Sequence, residues 1–439
     1  MMKPIPKRIA AAILNSLQGG VVPRIGTEHM TVGRKKEIES ILWDLDLITN
    51  GGSTCRFIVG KYGSGKSFLM QIIKNYALDH GFVVADADLS PERRLVGSNH
   101  EGLATYRELV KNLSTKTRPE GNALTLILER WLSALQTDVM TTSAIAPDAP
   151  EFEQILIQKV HSVMGELESL VNGFDFAQAI LLYYKAYRSS DDGLKSNVLR
   201  WFRGEYVTRS DARKELGINF IITDDNWYDV LKVLTTFLVK AGYQGLLIFI
   251  DELVNIYKLP NFITRQYNYE KILTIFNDTL QGKASHIGFY FGGTPQSIED
   301  TRRGIFSYEA LKSRLADSKF AHADFVDQHA PLIRIEPLNH EEVAVLIETL
   351  AQIHAHYHGY AYVPHPQDDI AFLEIEYSRV GADQLITPRE IIRDYVQLLN
   401  IAYQKGGMSI VDILKSGGYE LQKSELEADV APEFATFEV

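Results

Sequence analysis

The chain has 439 residues, of which 45% are hydrophobic and 23% charged, and its formal net charge is −11. This length suffices for two or three domains with buried cores, and the composition is that of a soluble globular protein. The negative charge argues against a protein that coats nucleic acid along its whole surface. The single cysteine, Cys55, excludes an internal disulfide and a cysteine-based zinc site. No run approaches the roughly 18 apolar residues of a membrane span, so we expect a cytoplasmic protein.

Two helices are predicted ahead of the first strand. Residues 1–18 carry an apolar run that is too short for a signal peptide and has helical spacing, which indicates a surface or docking helix. A second helix begins at Thr31 or Gly33, and its apolar residues fall on one face. These residues are Ile38, Ile41, Leu42 and Leu45.

The most informative stretch is residues 56–67, where a short apolar strand runs into the pattern G-x-x-x-x-G-K-S at 60–67. A helical run follows at 68–77, which gives the strand–loop–helix context of a phosphate-binding loop. Such a turn can also be a plain connector, but all the fixed positions of the motif are filled here. Gly60, Gly63 and Gly65 let the backbone N–H groups converge on phosphate oxygens. We expect Lys66 to reach the β- and γ-phosphates and Ser67 to hold Mg²⁺, so the sequence predicts nucleotide binding.

A second strand is predicted at 81–88, and helical patterns then dominate 106–187 apart from a loop at 142–150. Residues 195–214 combine basic side chains with Trp201, Phe202 and Tyr206. These aromatic rings could stack on nucleic-acid bases, or they could be buried beneath a solvated basic face. We favour burial, because local charge alone is a weak signal.

Two further strands end in polar residues. Residues 245–250 form an apolar run that is followed by Asp251 and Glu252, at the strand end where ligands bind in open α/β sheets. We predict that Asp251 is a partner of Mg²⁺ and that Glu252 orients and polarises the attacking water. The strand at 287–295 is closed by Thr294, which either hydrogen-bonds the attacking water or γ-phosphate or caps the strand end.

A fifth strand is predicted at 331–337, and helices follow over 339–402. Asn339 with Glu342 forms one predicted capping box. Thr387, Pro388 and Glu390 form another, which holds Arg389 at a helix start. The acidic tail over 420–439 lacks helical periodicity and is predicted to be disordered or partner-bound.

In this order the motifs resemble those of AAA+ ATPases. V-G-R-x-x-E at 32–37 and T-P-R-E at 387–390 are similar to the ORC/Cdc6 and STAND-related branch. G-K-Y-G-S-G-K-S-F-L (60–69), R-W-F-R-G-E (200–205) and G-Y-Q-G-L-L-I-F-I-D-E-L (242–253) resemble the BrxD-like ATP-binding proteins of BREX phage-defence systems.

The resemblance implies an α/β fold of the AAA+ P-loop NTPase type, with a five-stranded parallel sheet, a large helical insert and a C-terminal helical lid. It implies that Val32 and Gly33 line the adenine pocket. Thr294 would be the sensor 1 residue and Arg389 the sensor 2 arginine, and Arg314 would be an arginine finger, with Arg302 and Arg303 as alternatives. The expected nucleotide-binding residues are Val32, Gly33, Gly60, Tyr62, Gly63, Ser64, Gly65, Lys66, Ser67 and Phe68.

The expected division of the chain follows from the same resemblance. It comprises an N-terminal helix and adenine-side segment (1–30), a first core part (31–114), a helical insert (115–230), a second core part (231–338), a lid (339–405) and a tail (406–439).

The implied function is Mg²⁺-dependent ATP hydrolysis by a homo-oligomer in anti-phage defence, on DNA or with a helicase or other defence-system proteins. The alternative is a STAND-like switch that uses ATP as a conformational latch. An ABC-type or small-molecule kinase ranks last, because the chain has no L-S-G-G-Q stretch. Only about 35 residues follow position 402, too few for the winged-helix domain of initiator relatives, so that analogy alone does not support DNA binding.

Overall fold

Five strands of the computed structural model form one sheet, in which all the strand pairs are parallel. The structure describes residues 5–143, 145–146, 149–168, 170–171, 173–316, 327–378 and 387–417. The strands are β1 (Ser53–Val59), β2 (Val83–Asp88), β3 (Leu246–Asp251), β4 (Ile287–Gly293) and β5 (Leu332–Arg334), and their order is β2-β3-β4-β1-β5. The predicted five-stranded parallel sheet is confirmed.

Helices occupy most of the remaining described chain. In chain order they are α1 (Lys7–Gln18), α2 (Lys35–Thr49), α3 (Lys66–Asp79), α4 (Glu101–Lys111), α5 (Leu124–Ser143), α6 (Pro150–Glu168), α7 (Gly173–Ser189), α8 (Asp192–Phe202), α9 (Arg209–Leu216), α10 (Trp227–Lys240), α11 (Val254–Tyr257), α12 (Phe262–Leu280), α13 (Pro295–Glu299), α14 (Glu309–Leu315), α15 (His340–His358), α16 (Pro366–Ser378), α17 (Pro388–Gln404) and α18 (Ile410–Ser416). None of these described helices is long and apolar enough to cross a membrane. The predicted tail at 420–439 lies outside the described residues.

The chain divides into two compact units. One unit, here called the helical unit, comprises Met1–Lys35, Gly60–Ile72 and Ile335–Val439. The other, here called the sheet unit, comprises Lys36–Val59 and Ile73–Arg334. The glycine-rich loop after β1 therefore belongs to the same unit as the N-terminal and C-terminal helices.

The helical unit has an apolar core of its own, shared by α1, α15 and α17. Helix α1 contributes Ile13 and Leu14, and α15 and α17 contribute Ile347 and Val396. The apolar residues of α1 recur at helical spacing and form a buried face, so the predicted helix is confirmed and it docks on α15 and α17.

In the sheet unit, β2 pairs with β3 although residues 89–245 separate them in the chain. Helices α4–α10 lie in this long connection, so it adds helices without interrupting the sheet. Trp201, Phe202 and Tyr206 belong to the core of this unit, with at most 3% of their surface exposed. Base stacking by these three rings is therefore excluded, and the alternative of buried aromatics is correct.

Candidate nucleotide-binding site

The loop that follows β1 has a backbone shape that only glycine adopts without strain. Gly63 and Gly65 have φ angles of +75° and +101°, in the left-handed region. A Cβ atom at Gly60 would overlap Ser64 Oγ. The glycines of the motif are thus explained by local geometry.

Polar groups of this loop have the chemistry that a phosphate group requires. The Lys66 ammonium donates to the carbonyl oxygens of Gly60 (2.8 Å) and Lys61 (3.0 Å), so it lies over the loop. Ser64 Oγ is buried and has no hydrogen-bond partner within the described part of the chain. Ser67 follows on the exposed side of the first turn of α3. An ammonium group, an available hydroxyl group and a helix N-terminus are together compatible with a bound nucleotide phosphate.

Two other segments of the helical unit contact the loop. The buried Arg34 guanidinium donates to the Ser64 carbonyl oxygen at 3.0 Å and to the Glu336 carbonyl oxygen at 2.9 Å. Thr387, the N-cap of α17, lies so close to Gly63 that a Cβ atom there would overlap it. The start of α17 therefore lies against the glycine-rich loop.

The remaining predicted nucleotide contacts lie in the same unit. Val32 and Phe68 pack against its apolar core. Gly33 has a φ angle of +68°, and a side chain there would overlap the Glu342 carboxylate. Tyr62 is exposed, and the centroid of its ring lies 5.5 Å from Lys66 Nζ. That these residues bind a nucleotide stays a prediction.

In the sheet unit, the carboxyl ends of β2 and β3 bring two carboxylates side by side. Asp88 pairs with Asp251 in the register of these strands. Asp251 Oδ1 accepts a hydrogen bond from the Glu252 N–H at 2.8 Å. Glu252 has a φ angle of +63°, which is strained for a residue with a side chain and is enriched at functional sites.

The protonation of Asp88 reports on this acidic strand end. Desolvation raises the pKa of Asp88, and repulsion from Asp251 and Asp86 raises it further. Lys74 and Arg93 act in the opposite direction and offset only part of the rise. A region that disfavours additional negative charge would be stabilised by a cation.

Thr294, the predicted sensor, caps helix α13. Its hydroxyl group accepts from the Ser297 N–H at 3.2 Å, and the Thr294 N–H donates back to Ser297 Oγ at 2.9 Å. The strand-end cap is therefore present. The hydroxyl group keeps its own hydrogen as a donor, and a sensor role stays a prediction.

The three candidate finger arginines differ in their surroundings. Arg303 Nη2 lies within hydrogen-bond distance of the carbonyl oxygens of Tyr257, Lys258 and Leu259, at the end of α11. Arg314 is exposed and bonds Asn277 Oδ1 and the Ala310 carbonyl oxygen. Arg302 is exposed. Arg303 therefore supports the end of a helix, whereas Arg302 and Arg314 are accessible at the surface.

The two predicted helix starts in the helical unit are confirmed. The Asn339 side chain and the Glu342 carboxylate cap each other's backbone N–H groups at the start of α15. The Glu390 carboxylate accepts from the Thr387 N–H at 3.1 Å, with Pro388 as the first residue of α17. Arg389 is thereby exposed in the first turn of that helix.

Three features of the site were not predicted from the sequence. Arg34 was part of the V-G-R motif, but no contact was assigned to it. The pairing of Asp88 with Asp251 could have been suspected, because both residues end apolar strands. The left-handed backbone of Glu252 had no signal in the sequence, since the residue is neither glycine nor asparagine.

Taken together, the parallel α/β sheet, the glycine-rich loop after β1 and the acidic end of β3 are typical of nucleotide-binding proteins. The chain belongs to the family of BREX system ATP-binding proteins BrxC/D, whose model matches residues 5–417. The resemblance to BREX ATP-binding proteins is therefore confirmed, and the family implies ATP binding in phage defence. No curated protein matches the chain significantly.

Proposed function

We propose that this protein is a Mg²⁺-dependent ATPase of the AAA+ type that acts in anti-phage defence of the BREX type. The strand order β2-β3-β4-β1-β5 is the observation that supports this most strongly. Strands β1 and β3 flank β4 and run parallel, so the segments that follow them leave from the same edge of the sheet. The glycine-rich loop follows β1 directly, and Glu252 follows β3 directly.

Each part of the loop has a role in binding the triphosphate. The backbone N–H groups of the loop contact phosphate oxygens, and the Lys66 ammonium contacts the β- and γ-phosphates. Lys66 then exchanges its two loop carbonyl partners for phosphate oxygens, which are stronger acceptors because they are charged. Val32 and Gly33 contact the adenine.

The acidic strand end supplies the hydrolytic step. Ser67 and Asp251 would hold Mg²⁺, which neutralises the charge that develops on the phosphates. Glu252 accepts a proton from the attacking water and orients its oxygen towards the γ-phosphorus. Its left-handed backbone fixes the direction in which its side chain leaves the strand. Thr294 and Arg389 contact the γ-phosphate or the water as sensors.

A neighbouring copy of the chain supplies the cation opposite the leaving phosphate. Arg314 is the first candidate, because it is exposed and its planar fork contacts two oxygens together. Arg302 is the second candidate. Arg303 is a weaker one, because its guanidinium is engaged at the end of α11.

ATP binding and turnover test this function directly. Wild-type protein should bind ATP and hydrolyse it only with Mg²⁺, and Lys66→Ala should abolish both activities. The matched control is Lys283→Ala, which removes an exposed lysine after α12 and should leave both unchanged. Tight binding with negligible turnover would favour the STAND-like latch, and absence of Lys66-dependent ATP binding would contradict the proposal.

The ATPase rate in the presence of DNA and a helicase tests the proposed partners. Double-stranded DNA, added with and without the helicase of the same defence system, should raise the ATPase rate if the protein works with them.

Mixing Arg314→Ala with Lys66→Ala, each inactive alone, should restore turnover, because a mixed pair contains one complete site. No recovery in a confirmed mixed assembly would show that Arg314 does not act between subunits.

A further inference from the structure

We infer that Arg34 is a positioning residue that sets the shape of the phosphate-binding loop and couples it to the segment leading into α15. The inference rests on the proposed function of the loop. Arg34 itself is assigned no contact with the nucleotide.

The guanidinium of Arg34 bridges two backbone segments of the helical unit. Nη2 donates to the Ser64 carbonyl oxygen at 3.0 Å, and Nη1 donates to the Glu336 carbonyl oxygen at 2.9 Å. The residue is only 5% exposed, and a Cβ atom at Gly65 would be in van der Waals contact with Nη2. A planar fork with fixed N–H directions is suited to such a bridge, whereas a lysine ammonium is a single point.

The orientation of the Ser64 carbonyl group matters because it determines the direction of the Gly65 N–H group. In a trans peptide the C=O of one residue and the N–H of the next point in opposite directions. No cis peptide bond occurs among the described residues. When Arg34 holds the Ser64 oxygen on one side of the peptide plane, the Gly65 N–H is directed to the other side.

Gly65 is a residue that needs this restraint. With a φ angle of +101° and no side chain, it has many other conformations within reach. An N–H group that already points in the required direction binds an oxyanion without first paying the entropy of ordering. Arg34 thus preorganises one of the donors of the loop.

The second arm of the fork links this donor to the C-terminal helices. Glu336 lies three residues before Asn339, the N-cap of α15. A rotation of the Ser64–Gly65 peptide would therefore break the Nη2 arm of the bridge and uncouple the loop from the segment that leads into α15. Loop shape and the start of α15 are coupled through one buried side chain.

The test compares Arg34→Lys and Arg34→Ala with the control Arg24→Ala, which removes an exposed arginine from the same N-terminal segment. Both Arg34 variants should bind ATP about tenfold more weakly, and the control should bind as wild type does. Hydrogen exchange in nucleotide-free protein should rise together at 62–66 and at 335–339 in both Arg34 variants. Wild-type affinity and exchange in Arg34→Lys would overturn the inference, because charge without the fork would then be sufficient.

The nucleotide-free exchange measurement separates this inference from the proposed function. Absence of Lys66-dependent ATP binding in wild-type protein would contradict the proposed function, while coupled exchange at the two segments would still support the Arg34 bridge. If both Arg34 variants fail to fold, wild-type protein decides the matter. The two segments should then lose protection with the same dependence on urea concentration, and independent opening of the two would overturn the inference.

Discussion

The segments that follow β1 and β3 both contain left-handed backbone, but they use different residues for it. Both strands stop at an edge of the sheet, and in both cases the chain soon passes through left-handed backbone. After β1 the left-handed residues are Gly63 and Gly65, and after β3 the left-handed residue is Glu252. Glycine has no steric cost there, whereas a residue with a Cβ atom loses about 1–2 kcal/mol.

The difference shows what each segment contributes to the proposed chemistry. After β1 the backbone itself is the ligand, so the absence of side chains is useful. After β3 a carboxylate is required, and glycine would remove it. Strain that persists at a single acidic residue is the expected signature of a side chain retained for its chemistry.

The largest effect is expected from a substitution that removes the Glu252 carboxylate and keeps the shape of the side chain. Glu252→Gln should reduce the ATP hydrolysis rate by about 10²–10⁴, because the amide cannot accept the proton of the water. ATP affinity should stay near that of the wild type, since the loop after β1 is untouched. Turnover and binding measured on the same preparation check this, and a wild-type rate would show that Glu252 is not the base.

The second prediction adds a side chain to the loop after β1, where the backbone N–H groups are the proposed phosphate ligands. Gly63→Ala should weaken ATP binding by about tenfold or more, because the new methyl group meets Thr387 and strains a left-handed residue. Gly282→Ala is the matched control, since Gly282 has a φ angle of +70° and open space around it. Gly282→Ala should lower the stability by about 1 kcal/mol and leave ATP affinity unchanged. Equal affinity in both variants would contradict a role for the shape of the loop.

The third prediction measures the strain at Glu252 itself. Glu252→Gly and Glu252→Ala both lack the carboxylate, but only alanine retains the steric cost of the left-handed backbone. We expect the glycine variant to be the more stable by about 0.5–1 kcal/mol, after the greater flexibility of its unfolded chain is included. At Glu270, an exposed position inside α12, the order should reverse, because glycine is unfavourable in a helix. Urea unfolding of the four variants checks the sign, and the same order at both positions would exclude strain at Glu252.

The architecture of the sheet could be predicted because its signals are local. Five apolar runs gave the five strands, and the capping residues Asn339 and Thr387 marked two helix starts correctly. The glycine motif predicted the loop, since glycine adopts the left-handed backbone found at Gly63 and Gly65 without steric cost.

The parts that could not be predicted depend on contacts distant in sequence. Arg34 and Glu336 are 302 residues apart, and no local pattern indicates that they meet. The order of the strands was likewise not a sequence prediction, because it depends on how the long connections cross the sheet. The burial of Trp201 and Tyr206, by contrast, agrees with the alternative that the sequence analysis favoured.

The smallest expected effect concerns Asp88, the neighbour of Asp251 across β2 and β3. The pKa of Asp88 is raised above its ordinary value of 3.8, so the folded protein binds this proton more tightly than the unfolded chain. Ionisation of Asp88 therefore lowers the free energy of unfolding. This loss is absent below pH 3.8 and develops as the pH rises from 3.8 to the higher pKa of the folded protein. Asp88→Asn removes that cost, and we expect it to raise the midpoint of thermal unfolding slightly at neutral pH, with an advantage that disappears towards pH 3.8. Asp46→Asn, on an exposed position of α2, is the control that should show no such gain. Added Mg²⁺ with ATP should reduce the advantage of Asp88→Asn, because a cation near Asp251 offsets the same repulsion. If Asp88→Asn is less stable than the wild type at neutral pH, the prediction is wrong, and favourable contacts stabilise the carboxylate instead.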